Sequence, residues 1–145
     1  FEQKKIENTF DENEKKDFLK GANIAYETII TNFANGDVKS IKSLLDKKIY
    51  EQFIDAVKER NLKGLKSETT FIGINSSTIK DHKQDNNILE VTVDFVSEII
   101  STIRDKDKKI ISGNPDKIKK VYDTWKFSKD VRSTNPNWLL VETQV

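Results

Sequence analysis

The hydrophobic pattern of the chain changes from a helical period to a strand-like period near its middle. In the first half, apolar residues recur every three or four positions, as at Phe18, Ala22 and Ile29, which is typical of one face of a helix. Over residues 89–103, apolar and polar residues alternate, which is typical of a strand with one buried face. The pattern predicts helices followed by an antiparallel sheet, which is the α+β class.

Acidic residues and glycines mark the ends of three predicted helices. Asp11 is a typical N-cap for a first helix that ends at 35–36, where Asn-Gly allows a left-handed C-terminal turn. Asp37 begins a short second helix. Asp46 caps a third, which closes near Gly64.

Four strands are predicted in the second half of the chain. The first has a candidate bulge at Gly73, and turns are predicted at 81–87 and at 135–137. The long second strand exceeds the usual length, so we expect it to be strongly bent. The predicted strands are residues 70–80, 89–103, 118–131 and 138–145.

Composition limits the classes of function. The chain has 145 residues, which suits one domain, and 25 Lys and Arg against 24 Asp and Glu. A net charge of +1 argues against a dedicated nucleic-acid binder. The absence of Cys excludes zinc–thiolate sites, and a single His excludes a poly-His metal site. No apolar run approaches the roughly 20 residues of a transmembrane helix. We therefore expect no metal, no cofactor and no nucleic-acid partner.

One carboxylate is a candidate for catalysis. Asp123 lies between Val121 and Trp125 on one face of a predicted strand, and a carboxylate in an apolar pocket can act as a general base. The simpler interpretation is an aspartate at the edge of the core that bonds to a backbone group or a lysine. His82, in a polar turn without a second His, is interpreted as a solvated residue. The sequence shows no phosphate-binding loop and no nucleophile elbow. A catalytic residue is therefore not predicted.

A basic segment is the first candidate for a binding surface. Residues 104–120 hold seven basic and three acidic residues, which gives a local net charge of +4. Such a segment can meet anionic lipid head groups or an acidic partner. The alternative is a solvated hairpin tip in a lysine-rich protein. The predicted contact residues are Lys106, Lys108, Lys109, Lys117, Lys119 and Lys120.

Aromatic residues are the second candidate. They are most simply interpreted as core, but a bent sheet under a long helix leaves space that is hard to fill. A pocket between helix and sheet would take an apolar ligand. The predicted lining residues are Tyr26, Phe33, Phe71, Phe95, Trp125 and Trp138.

Short segments along the chain carry a family resemblance. They are residues 18–22 (FLKGA), 33–37 (FANGD), 44–45 (LL), 50–53 (YEQF), Arg60, 69–72 (TTFI), 93–101 (VDFVSEIIS) with 104–105 (RD), 113–115 (GNP), 121–127 (VYDTWKF) and 135–140 (NPNWLL). Together they resemble the C-terminal domain of the Tim44-like family, from residue 18 to the end of the chain. The Asp-x-Trp-x-Phe and Asn-Pro-Asn-Trp segments are the most specific.

The resemblance implies a fold and a class of function. The fold is a cone like that of nuclear transport factors, with N-terminal helices packed on a curved four-stranded antiparallel sheet around an apolar pocket. The resemblance divides the chain into two parts, a helical extension over residues 1–17 and the family domain over residues 18–145. The function is that of a non-enzymatic adaptor, since the mitochondrial relatives bind cardiolipin at the inner membrane and tether the chaperone of the import motor.

The resemblance also implies a location and partners. Bacterial relatives carry a hydrophobic anchor ahead of this domain, so we expect a bacterial protein associated with the inner membrane, with an anchor upstream of Phe1. The expected partner is a protein, either a chaperone or a translocation component, and an anionic phospholipid is a second expected ligand.

Two other functions stay open at this point. A mitochondrial ribosomal protein resembles the same domain, so a ribosome-associated membrane tether is one alternative, although the near-neutral charge argues against it. The other is a small-molecule enzyme of the cone fold with Asp123 as its base. A fold alone does not assign a function.

Overall fold

The structure is a computed structural model that describes residues 10–135 and 137–144. Within these residues, α1 covers Glu12–Ala34 and α2 covers Lys47–Leu62, with a 3-10 helix at Lys39–Leu44 between them. The predicted caps are confirmed, because Asp11 and Asp46 each accept a hydrogen bond from a backbone amide in the first turn. The second predicted helix is a 3-10 helix.

Within the described residues the sheet is antiparallel and has five strands, one more than predicted. The strands are β1 Lys66–Asp85, β2 Ile88–Arg104, β3 Ile110–Gly113, β4 Lys119–Asp130 and β5 Leu139–Thr143. Their order is β1-β2-β4-β5, and β3 pairs with β2 beyond the point where β4 begins. The helices pack on one face of the sheet, so the α+β class is confirmed.

The predicted turn at 81–87 is wrong, because β1 continues to Asp85 and only Asn86 and Asn87 form the turn. Polar residues in this part of β1 face their partners on β2, and Lys83 Nζ lies 3.7 Å from Glu90 Oε1. His82 therefore lies in a strand, and its ring lies 5.1 Å from that of Phe10. A run of charged residues is typical of a loop, so the sequence did not predict that this exposed part of β1 is a strand.

The predicted division at residues 17 and 18 falls inside a helix, since α1 is continuous from Glu12 to Ala34. Residues 1–9 of the proposed extension lie outside the described residues, as do Pro136 of the predicted turn and Val145 at the end of the predicted last strand. The division stays a prediction. No helix among the described residues is long and apolar enough to cross a bilayer.

The core lies between α1 and the inward faces of β2 and β4. Tyr26 stacks on Phe95, with ring centroids 4.1 Å apart, and Trp125 and Phe127 of β4 complete the layer. Register shifts in β1, one of them at the predicted Gly73 bulge, turn its apolar residues toward the same layer. The centre of the sheet is therefore filled by side chains.

The Asp46 cap gives a direct test of the helix boundary. Asp46 Oδ1 accepts a hydrogen bond of 2.8 Å from the Ile49 amide, so Asp46→Ala should lower the free energy of unfolding by about 1 kcal/mol. Chemical denaturation measures the change. Asp55→Ala, an exposed change in the same helix, is the control and should leave stability within about 0.5 kcal/mol. Equal losses in both variants would contradict a capping role.

Candidate functional site

A cavity of about 720 Å³ opens at the N-terminal end of α1. The first turns of α1, the start of β2, the end of β4 and the segment before β5 surround it. Most of its wall is apolar, and three charged side chains interrupt that wall. The lining residues are Phe10, Glu14, Asp17, Phe18, Gly21, Leu89, Lys129, Val131 and Trp138.

Aromatic rings form one wall of the cavity. The rings of Phe18 and Trp138 lie 4.6 Å apart, and Phe10 lies 6.0 Å from Phe18, each pair in an edge-to-face arrangement. Such contacts hold large apolar side chains in defined positions. A smaller cavity of about 120 Å³ shares Phe18, Gly21 and Trp138 with the larger one. The two together form one apolar depression under the start of α1.

Gly21 keeps this depression open. A Cβ atom built at Gly21 has no neighbour within 4 Å, so the helix presents free space where other residues would place a side chain. The position is helical and tolerates any residue that the cavity can accommodate. A larger side chain at Gly21 would therefore fill the cavity without straining the backbone.

Charged groups of both signs lie at the cavity. Glu14 and Asp17 come from α1, and Lys129 comes from β4, with its Nζ 5.9 Å from the centre of the Trp138 ring. The cavity therefore accepts an apolar group and offers polar groups beside it. Pockets of this kind orient a ligand by a few polar contacts.

The predicted pocket residues divide between core and cavity. Trp138 lines both cavities, and the other five residues line neither. Three of these fill the core under α1, and the remaining two pack at its margins. Because side chains of α1 fill the space over the centre of the sheet, the cavity lies at the N-terminal end of the helix. The core residues are Tyr26, Phe95 and Trp125, and the marginal ones are Phe71, against Tyr26, and Phe33, against Phe53.

Asp123 takes part in a hydrogen-bond network at the edge of the core. The Tyr26 hydroxyl donates to Asp123 Oδ2 at 2.5 Å and lies 3.0 Å from Ser97 Oγ, and Gln144 Nε2 donates to Asp123 Oδ1 at 2.9 Å. Burial is the main cause that raises the pKa of Tyr26, and the hydrogen bond to Asp123 raises it further. The phenol therefore stays protonated and remains a donor. Both carboxylate oxygens are bonded, and Asp123 lines neither cavity.

The predicted lysines lie together at the opposite end of β2. All six are exposed, and none forms an ion pair with a described residue. The side chain of Lys106 lies against Gly64 after α2, since its Cγ would be 2.8 Å from a Cβ there. Arg104 instead pairs with Glu68 at 2.7 Å, which lowers the pKa of that carboxyl group. None of the six lysines lines either cavity.

Within the described part of the chain, no group of three His, Asp or Glu side chains could hold a metal ion. Sequence reasoning missed Phe10, Phe18 and Lys129 as cavity residues. A glycine at position 21, inside an apolar helical stripe, was the signal that could have located the space.

The profile of the Tim44-like domain matches residues 2–145. The chain belongs to the Tim44-like domain family. A curated relative, the probable mitochondrial import inner membrane translocase subunit tin-44 of Caenorhabditis elegans, is 25% identical over 144 residues. The match covers 97% of this chain and 33% of that protein, so the chain spans about one third of its relative's length.

Two solved structures share the fold. One is the intermembrane space region of the chloroplast protein ARC6, with a TM-score of 0.54, 15% identity and coverage of 93% of this chain and 95% of that one. The other is a periplasmic fragment of TraM, with a TM-score of 0.53, 10% identity and coverage of 89% and 94%. At these identities the similarity concerns the arrangement of helices and strands alone.

Proposed function

We propose that this Tim44-like domain is a non-enzymatic scaffold that holds a partner protein of a translocation system through the cavity at the start of α1. The observation that carries the proposal is the apolar depression walled by Phe10, Phe18 and Trp138, with charged groups beside it. Buried aromatic pockets with a polar margin are where protein interfaces place their anchoring side chains. The relationship to a translocase subunit supports the class of partner.

The proposal also includes the identity of the partner and the location of the domain in the cell. The partner is a chaperone or a translocation component, the domain works at the inner membrane of a bacterial cell, and an anionic phospholipid is a second ligand. The family resemblance supports these parts. The residues of the cavity support the presence of a protein anchor, since 720 Å³ is enough for more than one apolar side chain.

The geometry favours binding over catalysis. A general base needs a free oxygen that can reach a bound substrate. Both oxygens of Asp123 accept hydrogen bonds from within the chain, and Asp123 lines neither cavity, so the base that the enzyme alternative requires does not face a bound ligand. The enzyme alternative is therefore not proposed.

Photo-crosslinking in cells tests the cavity. A photoreactive phenylalanine at Val131, which lines the cavity, should capture a chaperone or translocation component that mass spectrometry identifies. Gly21→Leu should reduce that crosslink at least tenfold, because it fills the space that the anchor needs. Lys20→Leu places the same side chain at the neighbouring exposed position of the helix, outside both cavities, and should leave the crosslink unchanged.

Two results would contradict the proposal. One is a crosslink at Val131 that Gly21→Leu leaves intact while the variant remains folded. The other is capture of the same partner when the photoreactive residue replaces Thr78, which is exposed on β1 and outside the cavity.

A further inference from the structure

We infer that the outer edge of β1 pairs with the same edge of a second copy of this chain, in an antiparallel arrangement that joins the two sheets. β1 is the last strand on its side of the sheet, and within the described part of the chain only β2 pairs with it. The free edge of a strand presents N–H and C=O groups that can pair with another chain. No residue of β1 lines either cavity, so the inference does not depend on the proposed function.

The two ends of β1 are regular, whereas its middle is not. Three register shifts against β2 fall between Phe71 and Asp81, so residues 66–70 and 81–85 each form an uninterrupted ladder with β2. The extra residues all belong to β1, because the paired positions of β2 follow one another without a gap. Bulges disrupt pairing locally. Contact with a second copy is therefore expected in two ladders, in which residues 66–70 of each copy pair with residues 81–85 of the other.

The two end segments have the same orientation relative to β2. Glu68 lies opposite Thr102, and Lys83 lies opposite Glu90. These two β2 residues are an even number of positions apart on an uninterrupted strand, so their side chains lie on the same face and their backbone groups point to the same neighbouring strand. Glu68 and Lys83 therefore share a face, and their N–H and C=O groups have the same direction. An antiparallel ladder between the two segments requires both matches.

The charges of the two segments are complementary in one register. In that register Lys66 lies opposite Asp85 of the second copy, and Glu68 lies opposite Lys83 of the second copy. Two-fold symmetry repeats both pairs in the other ladder. A shift of two residues brings Lys66 opposite Lys83 in one direction and Glu68 opposite Asp85 in the other. A shift of one residue places the side chains on opposite faces, so the sequence favours one register over its neighbours.

The side chains that would meet are accessible. Residues 80–85 are all exposed, as are Lys66 and Glu68. Lys66 and Asp85 form no ion pair with a described residue, so both are available to a second copy. Charged residues on an edge strand commonly prevent pairing with other strands. Here they oppose pairing in the shifted registers and favour it in the register with Lys66 opposite Asp85.

The absence of Cys allows a direct test of the register in the full chain. Thr70 lies opposite Asp81 of the second copy, so Thr70→Cys with Asp81→Cys should form a disulfide-linked dimer under mild oxidation. These positions are on the order of 30 Å apart along one strand, so they cannot bond within one chain. Thr70→Cys with Thr78→Cys is the matched control, because position 78 lies opposite position 73. It should give about tenfold less linked dimer, since a disulfide tolerates no such offset.

Charge reversal tests the ion pairs between the copies. Sedimentation equilibrium should show a dimer of the full chain, and Lys66→Asp should raise its Kd about tenfold, because like charges then meet in both ladders. Lys66→Asp with Asp85→Lys restores opposite charges and should return the Kd to within about threefold of its original value. Lys58→Asp makes the same change in net charge at an exposed position of α2 and should leave the Kd unchanged.

Three results would overturn the inference. They are a chain that stays monomeric at millimolar concentration, equal yields of linked dimer from the two cysteine pairs, and a double reversal that dimerises no better than Lys66→Asp. The purified chain is studied without any partner protein. Failure here is therefore distinct from failure of the crosslinking experiment at Val131, which tests the cavity.

Discussion

Tyr26→Ala is expected to lower the free energy of unfolding by about 3–5 kcal/mol. Tyr26 has no exposed surface, and its ring stacks on Phe95 at 4.1 Å and contacts Trp125 at 4.7 Å. Removing the ring leaves a cavity at the centre of the core, which the surrounding strands cannot close. Because small domains are stable by about 5–15 kcal/mol, this loss is a large part of the total. Urea denaturation at equilibrium measures it.

Tyr26→Phe separates the hydroxyl group from the ring. It keeps the packing but deprives Asp123 and Ser97 of their shared partner, so we expect a loss of about 1–3 kcal/mol. Tyr122→Phe removes the same hydroxyl from a side chain that is 69% exposed and should change stability by less than about 0.5 kcal/mol. If the two variants are equally stable, the network contributes nothing.

Gly113→Ala is expected to detach β3 from β2. Gly113 has φ of +81°, and a Cβ atom there would lie 2.0 Å from the backbone oxygen of Ser101. A left-handed conformation costs an alanine about 1–2 kcal/mol, and the clash with a backbone atom adds to it. Hydrogen exchange at residues 110–113 should become at least tenfold faster, while the rest of β2 keeps its protection.

Gly73→Ala is the matched control for Gly113→Ala. Gly73 also lies in a strand at a register shift, but a Cβ atom there has no neighbour within 4 Å. We expect hydrogen exchange at 110–113 to be unaffected. Unchanged exchange in Gly113→Ala would mean that β3 bends away from Ser101 without losing its pairing.

The helices and the long strands follow from local chemistry that the sequence displays. Asp11 and Asp46 accept amide hydrogen bonds where they were predicted to, and Gly36 and Gly64 adopt the left-handed conformation after α1 and α2. Alternation along β2 predicts its buried face because the strand lies on the core along most of its length. Such signals depend on near neighbours alone, which is why they can be recognised without the fold.

The missed features depend on contacts between distant parts of the chain. β3 has only four residues, and three of them are exposed, so no alternation marks it, and its pairing with Ile103 is what makes it a strand. The final residues of β1 are equally exposed and gain their structure from β2. Hydrophobic patterns in a sequence indicate which residues are buried, whereas these residues pair with β2 while remaining exposed.

A cavity was predicted between the long helix and the bent sheet, and the cavity described above lies at the start of α1. Aromatic residues predict that a core exists, but the distance between helix and sheet decides whether they fill it. Tyr26 is large enough to fill the centre, whereas Gly21 leaves the end open. The lysines were easier to group, because all six fall within residues 106–120, before and after β3.

Strand β2 has a mechanical consequence for a scaffold. It is paired with β1 from Ile88 to Arg104 and with β4 from Ile88 to Ile99, and it extends from the cavity to the opposite end of the sheet. Tension between a protein bound at the cavity and an attachment at that opposite end would be directed along this strand. The hydrogen bonds on both sides would then be loaded in shear and would have to break together. The same bonds pulled at right angles would open one at a time, so the domain resists force best in the direction that joins its two ends.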